Sequence, residues 1–211
     1  IITANPDLTY CNGVSTPVVS FAGTGNSYAW TNTQTSIGLA ISGTGNIPSF
    51  VTTNTGNTPI SSTITITPTY TNGGVSCSGA PLTFTITVNP IPNVNSINNQ
   101  VICNGSTTTG VTFTGSVAGT VYNWSNTNAA IGLGTSGVGD IASFVTTNTT
   151  NATISGTITA TPVYTNAGLG CTGAATSFTI AVNPIPTVNA VANQTICVGG
   201  STTLVTPTGF V

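Results

Sequence analysis

The stretch that decides the fold is Ile60–Tyr70, which reads ISSTITITPTY. From Ile64 onward every second residue is apolar or proline, and each residue between them is threonine. A period of two is typical of a β-strand with one buried face and one solvent face. Leu82–Val88, with the sequence LTFTITV, repeats the pattern. These stretches predict paired strands, and no window has a 3.6-residue apolar period long enough to predict a helix.

This alternating stretch belongs to a unit that occurs twice in the chain. Trp30–Pro92 aligns with Trp124–Pro186 without a gap at a period of 94 residues, and 40 of the 63 positions are identical. A third copy begins after Pro186, where Ile196-Cys197 matches Ile102-Cys103. Self-similarity of this kind predicts tandem modules. We therefore divide the chain into repeat 1 (1–92), repeat 2 (93–186) and the N-terminal part of repeat 3 (187–211).

The length of the repeat and its strand pattern together predict the architecture. A unit of 94 residues is close to the roughly 100 residues of an immunoglobulin-type β-sandwich. Glycine-rich and asparagine-rich breaks separate the strand candidates, and we predict an all-β chain of tandem Ig-like sandwiches with about seven strands each. The candidates in repeat 2 are Val94–Ile102, Thr108–Thr114, Thr120–Asn126, Ile141–Asn148, Thr153–Thr165 and Thr176–Val182, with a short seventh around Ala129–Gly134.

Four aromatic residues at matching positions are candidates for the core. Trp30 and Trp124 follow the first cysteine of their repeats by 19 and 21 residues, as expected for the tryptophan on the third strand of an Ig sandwich. Tyr70 and Tyr164 fall on the apolar side of the alternation. We predict all four in the core. The alternative for the tryptophans is a surface position that stacks on a sugar.

The five cysteines are distributed as two per complete repeat and one in repeat 3. One disulfide per repeat is the simplest pairing, so we predict Cys11–Cys77 and Cys103–Cys171, each worth about 4 kcal/mol through loop closure. Cys197 would then pair beyond Val211. Disulfides indicate an oxidising, extracellular or cell-surface compartment. Buried free thiols are the alternative, whereas two cysteines per repeat without histidine cannot fill a structural zinc site.

The near absence of charge excludes several classes of function. Lys, Arg and His are absent, and Asp7 and Asp140 are the only acidic residues. Nucleic acids and anionic lipid surfaces are bound through cations, and no apolar stretch reaches the length of a membrane-spanning helix. The two aspartates lie at unrelated positions of their repeats, so they provide neither an acid–base pair nor the several carboxylates of a calcium site. We predict no catalytic residue, no cofactor, no metal site, no nucleic-acid partner and no membrane insertion.

The predicted boundaries between repeats are short proline-containing linkers. Asn-Pro-Ile-Pro occurs at Pro90 and Pro92 and again at Pro184 and Pro186. Two prolines restrict the backbone of a linker and favour extended geometry for the residues before them, so we expect a semi-rigid rod. A net charge of −2 provides little repulsion between copies, which favours self-association.

Several tracts together resemble a known repeat family: Asn99–Gly105, Tyr122-Asn123-Trp124, Ile131-Gly132-Leu133, Gly139–Phe144 and Cys171-Thr172-Gly173. They are similar to the PKD-like repeats of very large Bacteroidetes surface proteins. The resemblance covers both complete repeats and the third, partial one. It implies tandem sandwiches exported by type IX secretion, often beside gliding-motility-associated C-terminal domains, that act as adhesins or extracellular fibres. It brings no catalytic residues.

These observations favour a non-catalytic structural module of a secreted bacterial filament or adhesin stalk. Its most direct partner would be itself, either as a homopolymer or as neighbouring repeats. A glycan-binding or surface-binding adhesin module is one alternative. The other is a set of spacer repeats attached to a catalytic domain elsewhere in the polypeptide.

Overall fold

The computed structural model describes residues 6–210, and these residues are almost entirely strands and extended loops. Repeat 1 forms one six-stranded sheet in the order β1-β6-β4-β2-β3, with β5 paired to β4. Strand β1 is parallel to β6, and the other pairs are antiparallel. The strands are β1 (Leu8–Cys11), β2 (Ser27–Asn32), β3 (Ser42–Thr44), β4 (Ile60–Asn72), β5 (Val75–Ser78) and β6 (Leu82–Asn89).

Repeat 2 forms a second six-stranded sheet with the same order, β7-β12-β10-β8-β9, and with β11 paired to β10. Its strands are β7 (Gln100–Cys103), β8 (Val121–Asn126), β9 (Ser136–Val138), β10 (Ile154–Asn166), β11 (Leu169–Thr172) and β12 (Thr176–Asn183). In the third repeat β13 (Thr187–Val188) pairs with β14 (Gly209–Phe210). The prediction of an all-β chain of tandem sandwiches is confirmed.

The second layer of each sandwich is built from extended loops rather than long strands. In repeat 1, isolated bridges join Ser15 to Val51 and Val19 to Ile47. The corresponding bridges of repeat 2 join Thr107 to Val145 and Val111 to Ile141. The predicted strands 108–114 and 141–148 are therefore only isolated bridges, and Gly110 interrupts the first of these segments.

A continuous apolar core lies between the two layers of repeat 1. Strands β4 and β6 supply alternate residues, as the period of two predicted, and Trp30 on β2 is 4% exposed. The indole of Trp30 lies against Gly43 of β3, where an added Cβ would collide with the ring. The buried cluster is Val19, Trp30, Ile37, Leu39, Ile47, Ile64, Ile66, Phe84, Ile86 and Val88. Trp124 occupies the matching place against Gly137 and is half-buried.

Two local predictions are wrong. The candidate strand around Ala129–Gly134 is a 3-10 helix at Ala129–Ile131, which ends at Gly132 with a φ of 96°. Tyr70 is 53% exposed and not in the core. The reason is that β4 extends past its pairing with β6, which ends at Ile66, and Tyr70 pairs instead with Cys77 of β5. Its counterpart Tyr164 is half-buried.

Contacts are densest within two compact units, whose limits differ from those of the sequence repeats. Unit 1 contains Ile1–Val94, Thr114–Val121 and Thr161–Ala175. Unit 2 contains Asn95–Phe113, Tyr122–Ala160 and Thr176–Val211. The end of β10 and all of β11 thus pack within unit 1, although they belong to repeat 2 in sequence. The domain limits at residues 92 and 186 stay predictions.

Candidate functional site at the cysteine contact of unit 1

The first cysteine of repeat 1 is fixed by a buried hydroxyl and by the sheet. Cys11 is the last residue of β1, and its carbonyl oxygen accepts a hydrogen bond of 2.7 Å from Oγ1 of Thr52. Thr52 is fully buried. The next backbone N–H, that of Asn12, donates to the carbonyl oxygen of Asn89 at 2.9 Å. These bonds fix the backbone from which the Cys11 side chain projects.

The second cysteine of repeat 2 lies on a tight hairpin. Cys171 of β11 is opposite Tyr164 of β10. The two turn residues, Ala167 and Gly168, have φ angles of 50° and 76°, and positive φ at both central positions matches the right-handed twist of a two-residue hairpin. Strand β11 was not predicted, because Leu169–Thr172 is only four residues long and contains a glycine.

Cys11 and Cys171 form a disulfide within unit 1, with 5.6 Å between their Cα atoms and a sequence separation of 160 residues. The predicted pairs Cys11–Cys77 and Cys103–Cys171 are therefore wrong. Two cysteines per repeat are compatible both with a disulfide within each repeat and with a disulfide between successive repeats. The choice depends on which hairpin lies next to Cys11, and in unit 1 that hairpin is the one formed by β10 and β11.

A pair of asparagine side chains lies beside the disulfide. Asn89, at the end of β6, is fully buried. Its Nδ2 donates to the carbonyl oxygen of Asn166 at 3.3 Å, and Nδ2 of Asn166 donates to Oδ1 of Asn89 at 2.8 Å. Because a buried amide without partners costs about 1–3 kcal/mol, this exchange of hydrogen bonds favours one specific arrangement of β6 against the hairpin.

The linker after repeat 1 also packs in unit 1. Pro90 and Pro92 are buried. Gly173, which follows β11, lies so close to the carbonyl oxygen of Pro92 that an added Cβ would collide with it. The contact thus joins the disulfide, the asparagine pair and the proline linker of repeat 1 to one hairpin of repeat 2. In contrast, Pro184 is half-buried and Pro186 is exposed.

Three cysteines in the described part of the chain, Cys77, Cys103 and Cys197, are free and exposed. The alternative of buried free thiols is therefore also wrong for them. Asn89, Asn166, Thr52 and Gly173 were missed as site residues. The available signal was their identity between repeats, but the 40 identical positions include most of the core and do not single out a contact.

The side chains of Asp7 and Asp140 each accept a hydrogen bond from a backbone N–H group. Oδ1 of Asp7 accepts from the N–H of Thr85 at 2.8 Å, and Oδ1 of Asp140 accepts from the N–H of Phe113 at 2.9 Å. The hydrogen bond from the Thr85 backbone stabilises the ionised form and lowers the pKa of Asp7 below its usual value. Neither arrangement pairs an acid with a base.

Two further features of residues 6–210 concern metal binding and membrane-spanning helices. That part of the chain has no group of three or more His, Cys, Asp or Glu side chains that could hold a metal ion. It also has no helix with the length and apolar character needed to cross a bilayer. The contact built around Cys11 and Cys171 is the most specific arrangement of functional groups that we find, and what it provides is covalent attachment.

Comparisons with known proteins give structural likeness only. No family model matches the chain, and no curated protein matches it. Among solved structures it is similar to repeats EC22-24 of mouse cadherin-23, at 12% identity over 88% of this chain and 64% of that one, with a TM-score of 0.41. It is also similar to EC1-2 of human mucin-like protocadherin, at 11% identity over 88% and 98%, with a TM-score of 0.38.

A third similar structure contains the eight N-terminal Ig domains of Down syndrome cell adhesion molecule. The identity is 17% over 91% of this chain and 29% of that one, and the TM-score is 0.29. The assignment of the fold therefore rests on the chain's own sheets and core.

Proposed function

We propose that this chain is a non-catalytic structural module of an extracellular filament or adhesin stalk, in which successive repeats are joined covalently. The observation that carries the proposal is the Cys11–Cys171 disulfide, which connects the first strand of one sequence repeat to a hairpin of the next. A bond of this kind adds nothing to catalysis. It resists separation of the repeats when the chain is pulled.

The position of the bond in the sequence gives it a mechanical effect. Force applied at the two ends enters the chain before Cys11 and leaves it after Cys171. The covalent path through the disulfide bypasses the 160-residue segment between them. Strands β2 to β10 lie wholly inside that segment and are protected from stretching while the bond is intact, whereas β12 lies outside it.

The outer face of each sheet suits assembly without charge. Hydroxyl groups of neighbouring strands pair across it, with 2.8 Å between Ser61 and Thr87 and 2.8 Å between Thr159 and Ser177. Such a surface is hydrated through neutral groups, and its interactions are insensitive to ionic screening. Contacts between copies should accordingly tolerate wide changes of salt.

The proposal extends to location and origin. A disulfide that joins repeats requires an oxidising environment, so we place the protein outside the cell, as a secreted or surface protein. The tract Asn99–Gly105 and its partners resemble PKD-like repeats, which supports an origin among large Bacteroidetes surface proteins. The partner that we assign is another copy of the repeat, within the same polypeptide or from a neighbouring chain.

Single-molecule stretching of the chain between handles fused to its two ends tests the mechanical role. With the disulfide intact, unfolding releases only the roughly 50 residues outside the loop, which is about 180 Å at about 3.6 Å per residue. Reduction should add the 160 residues of the loop, or roughly 580 Å. The Cys77→Ser variant is the matched control and should behave like the parent chain.

An extension that is the same before and after reduction would contradict the proposal, because the repeats would then not be joined by a bond that bears force. A difference that disappears in the Cys77→Ser variant would contradict it equally, since that thiol is free.

A further inference from the structure

The two cysteines of repeat 1 lie at opposite ends of its sheet. Cys11 is opposite Asn89 of β6, at the end of the sheet where β4 begins with Ile60. Cys77 is opposite Tyr70, ten positions further along β4. Ten residues of a strand span roughly 33 Å, whereas a disulfide needs Cα atoms within about 7 Å. A Cys11–Cys77 bond is therefore incompatible with the folded sheet.

Chain statistics alone favour that same bond over the observed one. Cys11 and Cys77 are separated by 66 residues in sequence, and Cys11 and Cys171 by 160 residues. Because the probability of loop closure falls with about the 3/2 power of loop length, an unfolded chain closes the shorter loop roughly fourfold more often. The folded structure must therefore select Cys171 as the partner of Cys11.

The asparagine pair lies next to both bonded cysteines. Asn89 is directly opposite Cys11 in the ladder of β1 and β6. Asn166 belongs to the hairpin that carries Cys171 and is two positions after Tyr164, the residue opposite Cys171. Each Nδ2 donates to an oxygen of the other asparagine, at 3.3 and 2.8 Å. These two hydrogen bonds connect β6 to the hairpin close to the place where the sulfur atoms meet.

The contact has noncovalent parts that do not involve the sulfur atoms. Asn89 is fully buried, so its amide is costly to leave without partners. Pro92 is buried, and its carbonyl oxygen lies against Gly173. Cys171 is 1% exposed, whereas Cys77, at the same place in the hairpin of repeat 1, is exposed. The burial of Cys171 thus comes from the contact and not from the hairpin alone.

We propose that the Asn89–Asn166 pair positions the two thiols, so that the hairpin of β10 and β11 docks before the bond forms and docking selects Cys171 as the partner of Cys11. This role deepens the proposed structural function, on which it rests. Docking and the bond stabilise each other through one coupling free energy. A change that weakens docking therefore weakens the bond by the same factor, and the disulfide locks a contact that exists without it.

The bond forms by thiol–disulfide exchange with a small disulfide such as oxidised glutathione. The Cys11 thiolate attacks glutathione disulfide and releases one glutathione. The Cys171 thiolate then attacks the Cys11 sulfur of the mixed disulfide and releases the second. Two protein thiols are oxidised, one glutathione disulfide is reduced to two thiols, and the two protons pass to the departing glutathione molecules.

Thiol labelling of the full chain tests whether docking needs the bond. Cys11→Ser removes the bond, and Cys103→Ser with Cys197→Ser leaves only the thiols of Cys77 and Cys171. A maleimide in excess is added to the freshly reduced chain, and labelling is followed by mass spectrometry of chymotryptic peptides. The docked hairpin covers Cys171, so Cys77 should react at least about tenfold faster. Equal rates would mean that the hairpin is undocked without the bond and would overturn the inference.

Variants of the asparagines in the same background test the positioning role. Asn166→Ala should raise the labelling rate of Cys171 several-fold. Asn72 is its exposed counterpart in the hairpin of repeat 1, and Asn72→Ala should leave that rate unchanged. Adding Asn89→Ala to Asn166→Ala should raise it no further, because both changes remove one pair of hydrogen bonds. Equal effects of Asn166→Ala and Asn72→Ala, or additive effects of the two pair residues, would remove the pair as the positioning element.

Oxidation of the chain that retains Cys11, Cys77 and Cys171 tests the choice of partner. In guanidinium, the Cys11–Cys77 bond should exceed the Cys11–Cys171 bond roughly fourfold. In a native glutathione buffer, Cys11–Cys171 should dominate, and Asn166→Ala should lower its equilibrium constant against glutathione by about tenfold. An excess of Cys11–Cys171 in guanidinium, or an equilibrium constant that Asn166→Ala leaves unchanged, would contradict selection by docking.

The stretching experiment separates this role from the proposed function. Cys171 labelled as fast as Cys77, with the reduction-dependent extension preserved, would leave the proposed function standing and remove only the docking step. Loss of that extension would instead remove the proposed function itself, whatever the labelling rates.

Discussion

Removal of the Cys11–Cys171 disulfide is the perturbation with the largest expected effect on stability. The bond closes a loop with a sequence separation of 160 residues, and the chain-entropy relation for a loop of this length gives about 5 kcal/mol at 25 °C. Cys11→Ser should therefore lower the total free energy of unfolding by about that amount. Cys77→Ser removes a free, exposed thiol and should change it by less than about 0.5 kcal/mol.

Guanidinium denaturation followed by tryptophan fluorescence measures the effect, because Trp30 lies in the core of repeat 1 and Trp124 occupies the same place in repeat 2. The free energies of all resolved transitions are added for each variant. Cys171→Ser should cost as much as Cys11→Ser. The double variant should cost no more than either single change, because both changes remove one and the same bond.

The reasoning is refuted if Cys77→Ser destabilises the chain as strongly as Cys11→Ser. That outcome would mean that the bond closes within repeat 1. Additive losses for Cys11→Ser and Cys171→Ser would have the same meaning, since the two cysteines would then belong to different bonds. Chymotryptic peptide mapping without reduction provides a second measurement, because the chain contains no lysine or arginine for trypsin.

Two further predictions concern the hairpin contact and the dependence on pH. Gly173→Ala should destabilise the chain by about 1–3 kcal/mol in thermal unfolding, because the new Cβ collides with the Pro92 carbonyl oxygen. Gly79→Ala lacks that backbone collision, and its new Cβ meets the side chain of Pro68 at 3.0 Å, so it should cost clearly less. Equal costs for the two variants would contradict the contact. The lowered pKa of Asp7 means that its bond from Thr85 stabilises the fold above the unfolded pKa of about 3.9, and that this contribution is lost as pH falls through the folded pKa. Asp7→Asn keeps the acceptor and should flatten the acid limb of the melting temperature, and an unchanged acid limb would argue against this role.

The sheet architecture could be predicted because it depends on local periodicity. Ile64–Tyr70 and Leu82–Val88 alternate strictly, and the structure places them in β4 and β6, which lie side by side. The loops of the second layer could not be predicted as such. Their buried polar residues, for example Thr52 and Asn54, bond to backbone groups 41 and 34 residues away, and such bonds have no periodic signature in the sequence.

The cysteine contact was beyond the reach of sequence reasoning for a different reason. Counting two cysteines per repeat leaves the register of pairing undetermined, since pairing within repeats and pairing between successive repeats use the same residues. Tyr70 shows the same ambiguity. Its position in the alternation predicts burial, yet Tyr70 is 53% exposed, whereas its counterpart Tyr164, at the same place in its own hairpin, is half-buried.

The identity of the contact residues between repeats has a consequence for assembly. A contact that served only to join repeat 1 to repeat 2 would need Cys11 and Asn89 on one side and Asn166, Cys171 and Gly173 on the other. Each of these residues has an identical counterpart in the other repeat, and this contact does not use the counterparts. In the same order they are Cys103, Asn183, Asn72, Cys77 and Gly79. The counterparts keep the same backbone bonds and the same hairpin geometry. The contact is thus a property of the repeat itself, and a repeat with two unlike halves of one contact can propagate it from copy to copy.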